Sequence, residues 1–257
     1  MKKLFILFTV CTLLAEGAMA WGQKGHDVIA NIAERNLTPK AKKALAEVLG
    51  GRSMVYDSSF PDQVKKMPGY EGTATWHYVN VDDGYTYETM PREPKGDVYT
   101  AISFMTEQLK DRNLDDSVRN TYTVMLIHLV GDLHCPMHAG RRSDRGGNDY
   151  KITWFRQPTN LHSIWDSRVI EAAHNWSYSE WAEQLDRCDK QTKREIMSGT
   201  PLDWLHETVD ISKLIYRNTP EGSDCGYDYV FEHSKLVEQQ LLKGGYRLAA
   251  LLNEIYK

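Results

Sequence analysis

Apolar residues recur every three or four positions along most of the chain, the spacing that places them on one face of an α-helix. The pattern is longest near the C-terminus, where Val237 and Leu241 fall within a predicted helix over 227–256. The pair Thr38-Pro39 is a typical helix start and predicts a helix over 40–49. The same spacing predicts further helices over 98–112, 116–134, 162–174, 178–188 and 202–216.

Two short runs have an extended pattern instead, namely residues 76–81, and residues 150–154 after the Gly146-Gly147 turn. The adjacent glycines 244 and 245 predict a break or bend in the last helix. The stretch 81–95 is irregular, and loops of that length in compact domains are more often functional than idle. We therefore predict an all-α, single-domain helical bundle with a small β element.

The first twenty residues follow a different pattern. Lys2 and Lys3 precede the apolar run 4–14, and Ala18-Met19-Ala20 has the small-x-small form of a cleavage site. We therefore expect residues 1–20 to be a secretory signal peptide and 21–257 to form the folded domain. No later segment has the roughly 18 consecutive apolar residues of a membrane span. These features predict a periplasmic or secreted protein that is free of the membrane after cleavage.

The net charge of the chain restricts how it could attract a nucleic acid. The chain has 31 Lys and Arg against 35 Asp and Glu, a formal net charge of −4. This mildly acidic balance excludes a protein that attracts nucleic acid through an overall basic surface. Any attraction for phosphate groups must therefore be local.

Three cysteines follow the predicted signal peptide: Cys135, Cys188 and Cys225. An oxidising compartment allows a Cys188–Cys225 bridge with Cys135 left buried, although the sequence alone does not decide the pairing. No C-x-x-C spacing occurs, so a metal site in this chain is expected to use histidine and carboxylate ligands.

The main candidate chemistry lies on two predicted helices. His128 and Asp132 are four residues apart on an apolar helix, so both side chains project from one face. Polar groups on a buried face are costly unless something compensates them, and a metal ion would do so. His162 and Asp166 repeat the spacing, and His138 follows the first helix. One such pair is usually a helix-surface contact, but two pairs together with His138 favour a metal site.

Other histidines and acids give weaker signals. His77 lies in the predicted extended run and Asp62 follows a proline in a predicted loop, and each alone is weak evidence for a ligand. His134 flanks the metal-binding helix and is either a core residue or a residue that supports a ligand. Charged neighbours predict that the remaining three histidines of the helices, His174, His206 and His233, are solvated.

These residues stand in motifs that resemble the single-strand-specific zinc nucleases of fungi, plants and bacteria, the S-one/P-one type. The resemblance runs in order from Trp21 to Asn253, and the motifs together are highly specific. They are Trp21-Gly22 with His26, Ser59-x-Pro61-Asp62, Trp76-His77-Tyr78-Val79-Asn80, His128-x-x-Gly131-Asp132, Pro136-x-His138, Gly146-Gly147-Asn148 and Asn160-Leu161-His162-x-x-Trp165-Asp166.

The resemblance implies a helical fold of the phospholipase C/nuclease type and three Zn²⁺ ions. The α-amino group and carbonyl of Trp21, together with His26, would bind one ion, and Asp132 would bridge it to another. Coordination by the α-amino group requires cleavage directly before Trp21, so removal of the signal peptide would create a metal ligand. The other two ions would be held by Asp62, His77, His128 and Asp132, and by His138, His162 and Asp166.

The resemblance also implies a zinc-dependent endonuclease that hydrolyses single-stranded DNA and RNA to 5′-phosphate products. DNA against RNA preference and an additional 3′-nucleotidase activity are left open. Asn148 and Tyr78 would contact a base, whereas Lys65 would approach the scissile phosphate. Asp82 would orient the attacking water, but an ordinary surface charge is an equally good interpretation of both Lys65 and Asp82. Three arginines would provide a local positive field: Arg141, Arg142 and Arg145.

Two other functions compete with this interpretation. A zinc phospholipase C shares the helical fold and the metal site, but Gly146-Gly147-Asn148 resembles the nuclease branch. A non-catalytic zinc-binding protein usually has a closed four-ligand cage, whereas the Trp21 site has few protein ligands. The chain departs from the nuclease pattern at Cys135, where glutamine is common, and at Arg156, where glycine is usual. Neither position is a ligand implied by the resemblance.

Overall fold

The computed structural model describes residues 21–257, and the predicted signal peptide lies outside them. The described chain is mainly helical, as predicted. No helix within it is both long enough and apolar enough to cross a membrane. The α-helices are α1 (Gln23–Arg35), α2 (Pro39–Val48), α3 (Met54–Asp57), α4 (Phe60–Val64), α5 (Val98–Gln108), α6 (Asp116–Leu133), α7 (Leu161–Ser163), α8 (Val169–Ala173), α9 (Tyr178–Leu185), α10 (Lys190–Met197), α11 (Pro201–Asn218) and α12 (Tyr227–Ile255).

The predicted β element is a three-stranded sheet with the strand order β2-β1-β3. Strand β1 (Lys151–Trp154) pairs antiparallel with β2 (Gln157–Asn160) through a tight turn. The short strand β3 (Asp224–Cys225) lies parallel to β1. The sheet confirms the extended run predicted up to Trp154, and β2 leads directly into α7.

The predicted extended run over 76–81 is wrong at its start, because Ala74–His77 forms a 3-10 turn. The chain after this turn is extended but joins no strand. Its amides at Val79 and Val81 donate to the carbonyls of His138 and Gly140, at 2.8 and 2.7 Å. The segment therefore packs along the loop that follows α6, an arrangement that local sequence does not encode.

Helix α12 runs without a break from Tyr227 to Ile255, so the predicted interruption at Gly244-Gly245 is wrong. The two glycines lie where α12 crosses α1. A Cβ atom on Gly245 would lie 2.5 Å from two carbons of Ile32, which is closer than van der Waals contact allows. The glycines therefore serve close helix packing, and the tertiary contact outweighs their low helix propensity.

We expect Gly245→Ala to lower the free energy of unfolding by about 1–3 kcal/mol, the usual cost of overpacking a core. Alanine favours a helix by about 1 kcal/mol over glycine, so the overlap with Ile32 must outweigh this gain. Gly72→Ala is the matched control, because an added Cβ there meets nothing within 4 Å. Urea denaturation measures both variants. Equal stability of Gly245→Ala and the unsubstituted protein would contradict this packing role.

The structure also corrects the expected disulfide. Cys135, Cys188 and Cys225 are all free thiols, so the Cys188–Cys225 bridge is wrong. The two cysteines have different surroundings: Cys225 is buried in β3, whereas the half-buried Cys188 interacts with Tyr246 of α12.

His134 ends α6 as a core residue. Its Nδ1 donates to the carbonyl of Val130 at 2.7 Å, and Nε2 accepts from Nη1 of Arg247 at 3.1 Å. Arg247 also makes two hydrogen bonds to the carboxylate of Glu207, at 2.9 and 2.8 Å. Burial, aided by the positive charge of Arg247, lowers the pKa of His134 to about 3. The neutral ring therefore joins α6 to α11 and α12.

Candidate metal centre

Helix α6 carries two of the predicted ligands into the interior. Both His128 and Asp132 are fully buried, on one face and four residues apart. Gly131 allows α1 to approach this face, because a Cβ there would lie 2.8 Å from Nδ1 of His26. The ring of His26 consequently stacks on that of His128, with centroids 3.9 Å apart.

Four donor atoms converge around Asp132. Its Oδ2 lies 2.9 Å from Nδ1 of His77 and 3.1 Å from Nε2 of His128. Oδ1 of Asp62 lies 3.6 Å from Nδ1 of His77 and 3.8 Å from Nε2 of His128. Zinc bonds of about 2.0–2.1 Å in a tetrahedron place donors roughly 3.3 Å apart. The four side chains therefore fit one tetrahedral zinc ion.

The elements that position these four donors differ from the local predictions in two places. Asp62 lies in helix α4, not in a loop, and His77 ends a 3-10 turn, not a strand segment. His128 is oriented by its Nδ1, which donates to the carbonyl of Ser58 at 2.7 Å. In the neutral ring, that hydrogen bond leaves Nε2 without a proton and available to a metal ion.

A second group of ligands lies beside the first. Nδ1 of His138 donates to the carbonyl of His77 at 2.6 Å, and Nδ1 of His162 donates to the carbonyl of Gly146 at 2.8 Å. In both rings Nε2 is then the unprotonated nitrogen. The two rings stack with centroids 5.2 Å apart, and Nε2 of His138 lies 3.9 Å from Oδ1 of Asp166.

The turn and helix around His162 and Asp166 have unusual backbone conformations. Gly146 and Gly147 have φ values of 66° and 84°, which suit glycine. The carbonyl of Gly147 accepts from the amide of His162 at 3.2 Å. Asp166 lies in a single π-helical turn, Ile164–Arg168, a form that is frequent at functional sites. The Gly-Gly motif therefore positions His162 through main-chain hydrogen bonds.

The first described residue lies against this centre. Trp21 is fully buried, and the amide of Gly22 donates to the carbonyl of Asp166 at 2.7 Å. Nε2 of His26 lies 3.3 Å from Oδ1 of Asp132, the carboxylate oxygen that faces away from the four-donor set. The structure thus brings together all nine residues assigned above as metal ligands.

Several polar atoms of the centre are buried without a hydrogen-bond partner. They include both ring nitrogens of His26, Nε2 of His77, Oδ1 of Asp132, Nε2 of His138 and Oδ1 of Asp166. A buried unsatisfied polar group costs about 1–3 kcal/mol, and more when it is charged. Divalent cations between these atoms would satisfy most of them, so the donor set fits zinc.

The electrostatics of the centre favour a bound cation. Burial, together with the charges of Asp132 and Asp62, raises the pKa of Asp166 well above its usual value. Burial acts in the same direction on Asp132, but His128 and His138 outweigh it and hold its pKa well below the usual range. Burial lowers the pKa of His138 to about 3. Burial opposes protonation of His128 too, but the charges of Asp132 and Asp62 outweigh it and raise its pKa, so these carboxylates favour a positive charge beside them, from either a protonated imidazole or a metal ion.

A cavity of about 510 Å³ opens onto the second group of ligands, with His138 and His162 in its wall. Tyr78 and Asn148, assigned above to base contacts, also line it, as does Lys65, whose Nζ lies 2.8 Å from Oδ1 of Asp62. Among the described residues, further cavity-lining cations are Lys66, Arg142 and Arg145. Arg141 instead pairs with Asp83 at 2.7 Å.

Asp82 does not line this cavity. Its Oδ1 accepts from the amide of Ser143 at 2.9 Å and from the hydroxyl of the same residue at 2.8 Å. These two hydrogen bonds connect Asp82 to the loop that carries Arg142 and Arg145. The contact of Asp82 with the attacking water therefore stays a prediction.

The sequence did not reveal the main-chain acceptors that orient the rings, because any residue type supplies a carbonyl. It also did not reveal Cys135, whose sulfur lies with His138 and Asp166 in a group that could hold a metal ion.

Of the three histidines expected to be solvated, His233 packs against the rings of Trp165 and Tyr229 and is half-buried. His174 and His206 pair with Glu238 and Glu88.

A family model and curated relatives match the described chain by sequence. The S1/P1 nuclease family model matches residues 21–257. The chain is 30% identical to endonuclease 3 of Arabidopsis thaliana, with 100% of this chain and 96% of that protein covered. It is 25% identical to nuclease S1 of Aspergillus oryzae, with 99% and 98% covered. A solved structure of Clostridium perfringens alpha-toxin has a TM-score of 0.48 and 14% identity, covering 93% of this chain and 64% of that one. The chain belongs to the S1/P1 nuclease family.

Proposed function

We propose that this nuclease is a zinc-dependent endonuclease that hydrolyses phosphodiester bonds of single-stranded DNA and RNA and leaves 5′-phosphate products. The observation that carries the proposal is the convergence of Asp62, His77, His128 and Asp132 at zinc-ligand spacing beside a cationic cavity. Bound zinc would supply an activated water at neutral pH and charge stabilisation at the phosphoryl group.

We assign the ligands in three sets, in accordance with the positions described above. The four-donor set around Asp132 would hold the first ion. His138, His162 and Asp166 would hold the second. The α-amino group and carbonyl of Trp21, with His26 and the other oxygen of Asp132, would hold the third. The α-amino group exists only if residues 1–20 are removed, so we also propose export to the periplasm or the medium.

The cavity wall suits a nucleotide. The ammonium of Lys65 lies beside a metal ligand, where it would attract the scissile phosphate. Tyr78 is partly exposed in the wall and offers a ring on which a base can stack. Nδ2 of Asn148 donates to the carbonyl of Arg145 at 2.9 Å, which fixes its amide at the cavity. Stacking and one amide contact favour unpaired bases, because a duplex keeps its bases stacked within the helix.

Hydrolysis of defined substrates tests the function. The chain beginning at Trp21, loaded with zinc, is incubated with single-stranded DNA, RNA, duplex DNA and phosphatidylcholine. We expect cleavage of the single strands, slower cleavage of the duplex, no release of phosphocholine, and loss of cleavage on chelation. Products that lack a 5′-phosphate would contradict the proposal. Cleavage of phosphatidylcholine alone would favour a phospholipase C, and turnover of none would favour a non-catalytic protein.

We expect Asn148→Ala to raise KM for single-stranded oligonucleotides about 10-fold with little change in kcat. One lost hydrogen bond to a base is worth roughly 1–1.5 kcal/mol, and it contributes equally before and during the reaction. Steady-state kinetics measure the effect, with Asn175→Ala, an exposed asparagine outside the cavity, as the control. An unchanged KM would rule out Asn148 as a base contact.

Acid is expected to release zinc cooperatively, because protons compete with the metal for the ring nitrogens and two of the three ligand sets share Asp132. Metal content after dialysis at successively lower pH measures the release. The zinc-free protein should also lose stability as pH falls from about 6.5 towards 3. The folded state keeps His138 neutral to a pKa of about 3, so the unfolded chain binds more protons across this range. Unchanged metal content in acid would contradict the assignment of imidazole ligands.

A further inference from the structure

Cys135 lies at the second ligand set, although neither the motifs nor the proposed zinc sites use it. Its sulfur, a ring nitrogen of His138 and a carboxylate oxygen of Asp166 all lie within 4.8 Å of one another. All three residues are buried, and Nε2 of His138 and Oδ1 of Asp166 have no hydrogen-bond partner. The group therefore combines a buried thiol with two buried residues that each have an unsatisfied polar atom.

The local backbone holds the sulfur and the imidazole in one rigid turn. Cys135 directly precedes the 3-10 turn Pro136–Ala139, and the proline fixes the chain direction. The amide of Cys135 donates to the carbonyl of Asp132, and the amide of His138 donates to the carbonyl of Cys135, both at 3.0 Å. The turn therefore carries a sulfur and an imidazole close together, and both are ligand types that zinc accepts.

A buried cysteine is more often a small apolar core residue than a ligand. Here the surroundings differ from those of a core residue. Burial, together with the charges of Asp166 and Asp132, raises the pKa of the Cys135 thiol well above its usual value, although the backbone amides of Met137 and His138 act in the opposite direction. A site with carboxylates, an imidazole and peptide amides around a sulfur is polar. The sulfur would therefore lose its proton only when a cation is bound beside it, and the adjacent imidazole and carboxylate are groups that bind such a cation.

We propose that the thiolate of Cys135 is a protein ligand of the second metal ion, together with His138 and Asp166. The inference rests on the proposed zinc function and adds a sulfur ligand to the second metal site. Zinc bonds of about 2.0 Å to nitrogen or oxygen and 2.3 Å to sulfur require donors roughly 3.4–3.6 Å apart, so side-chain movements on the order of 1 Å close the group. A thiolate would make this ion more strongly held and would favour softer metals.

Cobalt substitution tests the ligand directly. The chain beginning at Trp21 is stripped with a chelator, reloaded with Co²⁺, and its absorption is recorded along with its cobalt content. We expect a sulfur-to-cobalt charge-transfer band in the near ultraviolet that saturates when one site is filled. Cys135→Ser should lose this band and hold zinc at that site at least 10-fold more weakly against a chelator. Cys188→Ser, whose thiol interacts with Tyr246, should keep both properties.

Zinc X-ray absorption of the unsubstituted protein gives a second measurement that does not depend on the folding of a variant. A sulfur neighbour at about 2.3 Å is expected, at roughly one sulfur per three zinc ions. Cobalt binding with full nuclease activity but no charge-transfer band and no sulfur neighbour would overturn the role of Cys135 and leave the proposed function intact. A band that persists in Cys135→Ser would also overturn it. Failure to bind cobalt or zinc at all would overturn both proposals.

Discussion

Replacement of Asp132 by asparagine is expected to reduce phosphodiester hydrolysis by about 10³-fold or more, the scale of losing a main source of charge stabilisation. The two oxygens of this carboxylate face different partners. Oδ2 lies 2.9 Å from His77 and 3.1 Å from His128, whereas Oδ1 lies 3.3 Å from His26. An amide keeps one weak acceptor and places an N–H group towards unprotonated ring nitrogens. The substituted side chain would therefore be unable to bridge two cations.

Zinc content distinguishes the bridge from a general loss of structure. We expect elemental analysis of Asp132→Asn to show fewer zinc ions per chain, with the helical content measured by circular dichroism unchanged. Asp186→Asn is the matched control, because the side chain of Asp186 is also largely buried but pairs with Lys193 and Tyr246. The control should lose stability and keep its zinc and its activity. Full zinc occupancy in Asp132→Asn would show that this carboxylate is not a shared ligand.

The helices and the central ligand pairs could be predicted because they depend on short-range periodicity. His128 and Asp132 are one turn apart on α6, and any helix over that segment places them on one face. The same argument placed His162 beside Asp166, although their helix contains a π turn that spacing alone does not reveal. The spacing of two residues within one helix is therefore enough to predict that their side chains lie close together.

The features that sequence missed all depend on contacts between distant segments. Gly245 looks like a helix breaker until Ile32 of α1 is packed against it. The 3-10 turn that ends at His77 is likewise absent from the local pattern, because the chain that follows it is held by carbonyls of the loop after α6. Cys225 looks available for a bridge until the sheet buries it. In each case a tertiary contact overrides the local signal, and no period or motif records that contact.

An additional residue before Trp21 is expected to remove one of the three proposed metal ions and to lower nuclease activity about 10²–10³-fold, comparable to losing one electrostatic contributor. Trp21 is fully buried, and the amide of Gly22 is held by the carbonyl of Asp166 at 2.7 Å. The ring nitrogens of His26 are buried nearby without partners. An extended chain would replace the primary amine with a peptide group, which is a far weaker ligand, and would have to pass through this packed region.

Two proteins that differ by one residue test this expectation. Protease cleavage of a fusion releases either a chain that begins at Trp21 or a chain with one glycine before it. Glycine adds no side chain, so the comparison isolates the amine and the position of the terminus. Three zinc ions and full activity are expected from the first chain, and two zinc ions with low activity from the second. Equal rates and equal zinc content would exclude coordination by the α-amino group, because only the first chain has that amine at Trp21.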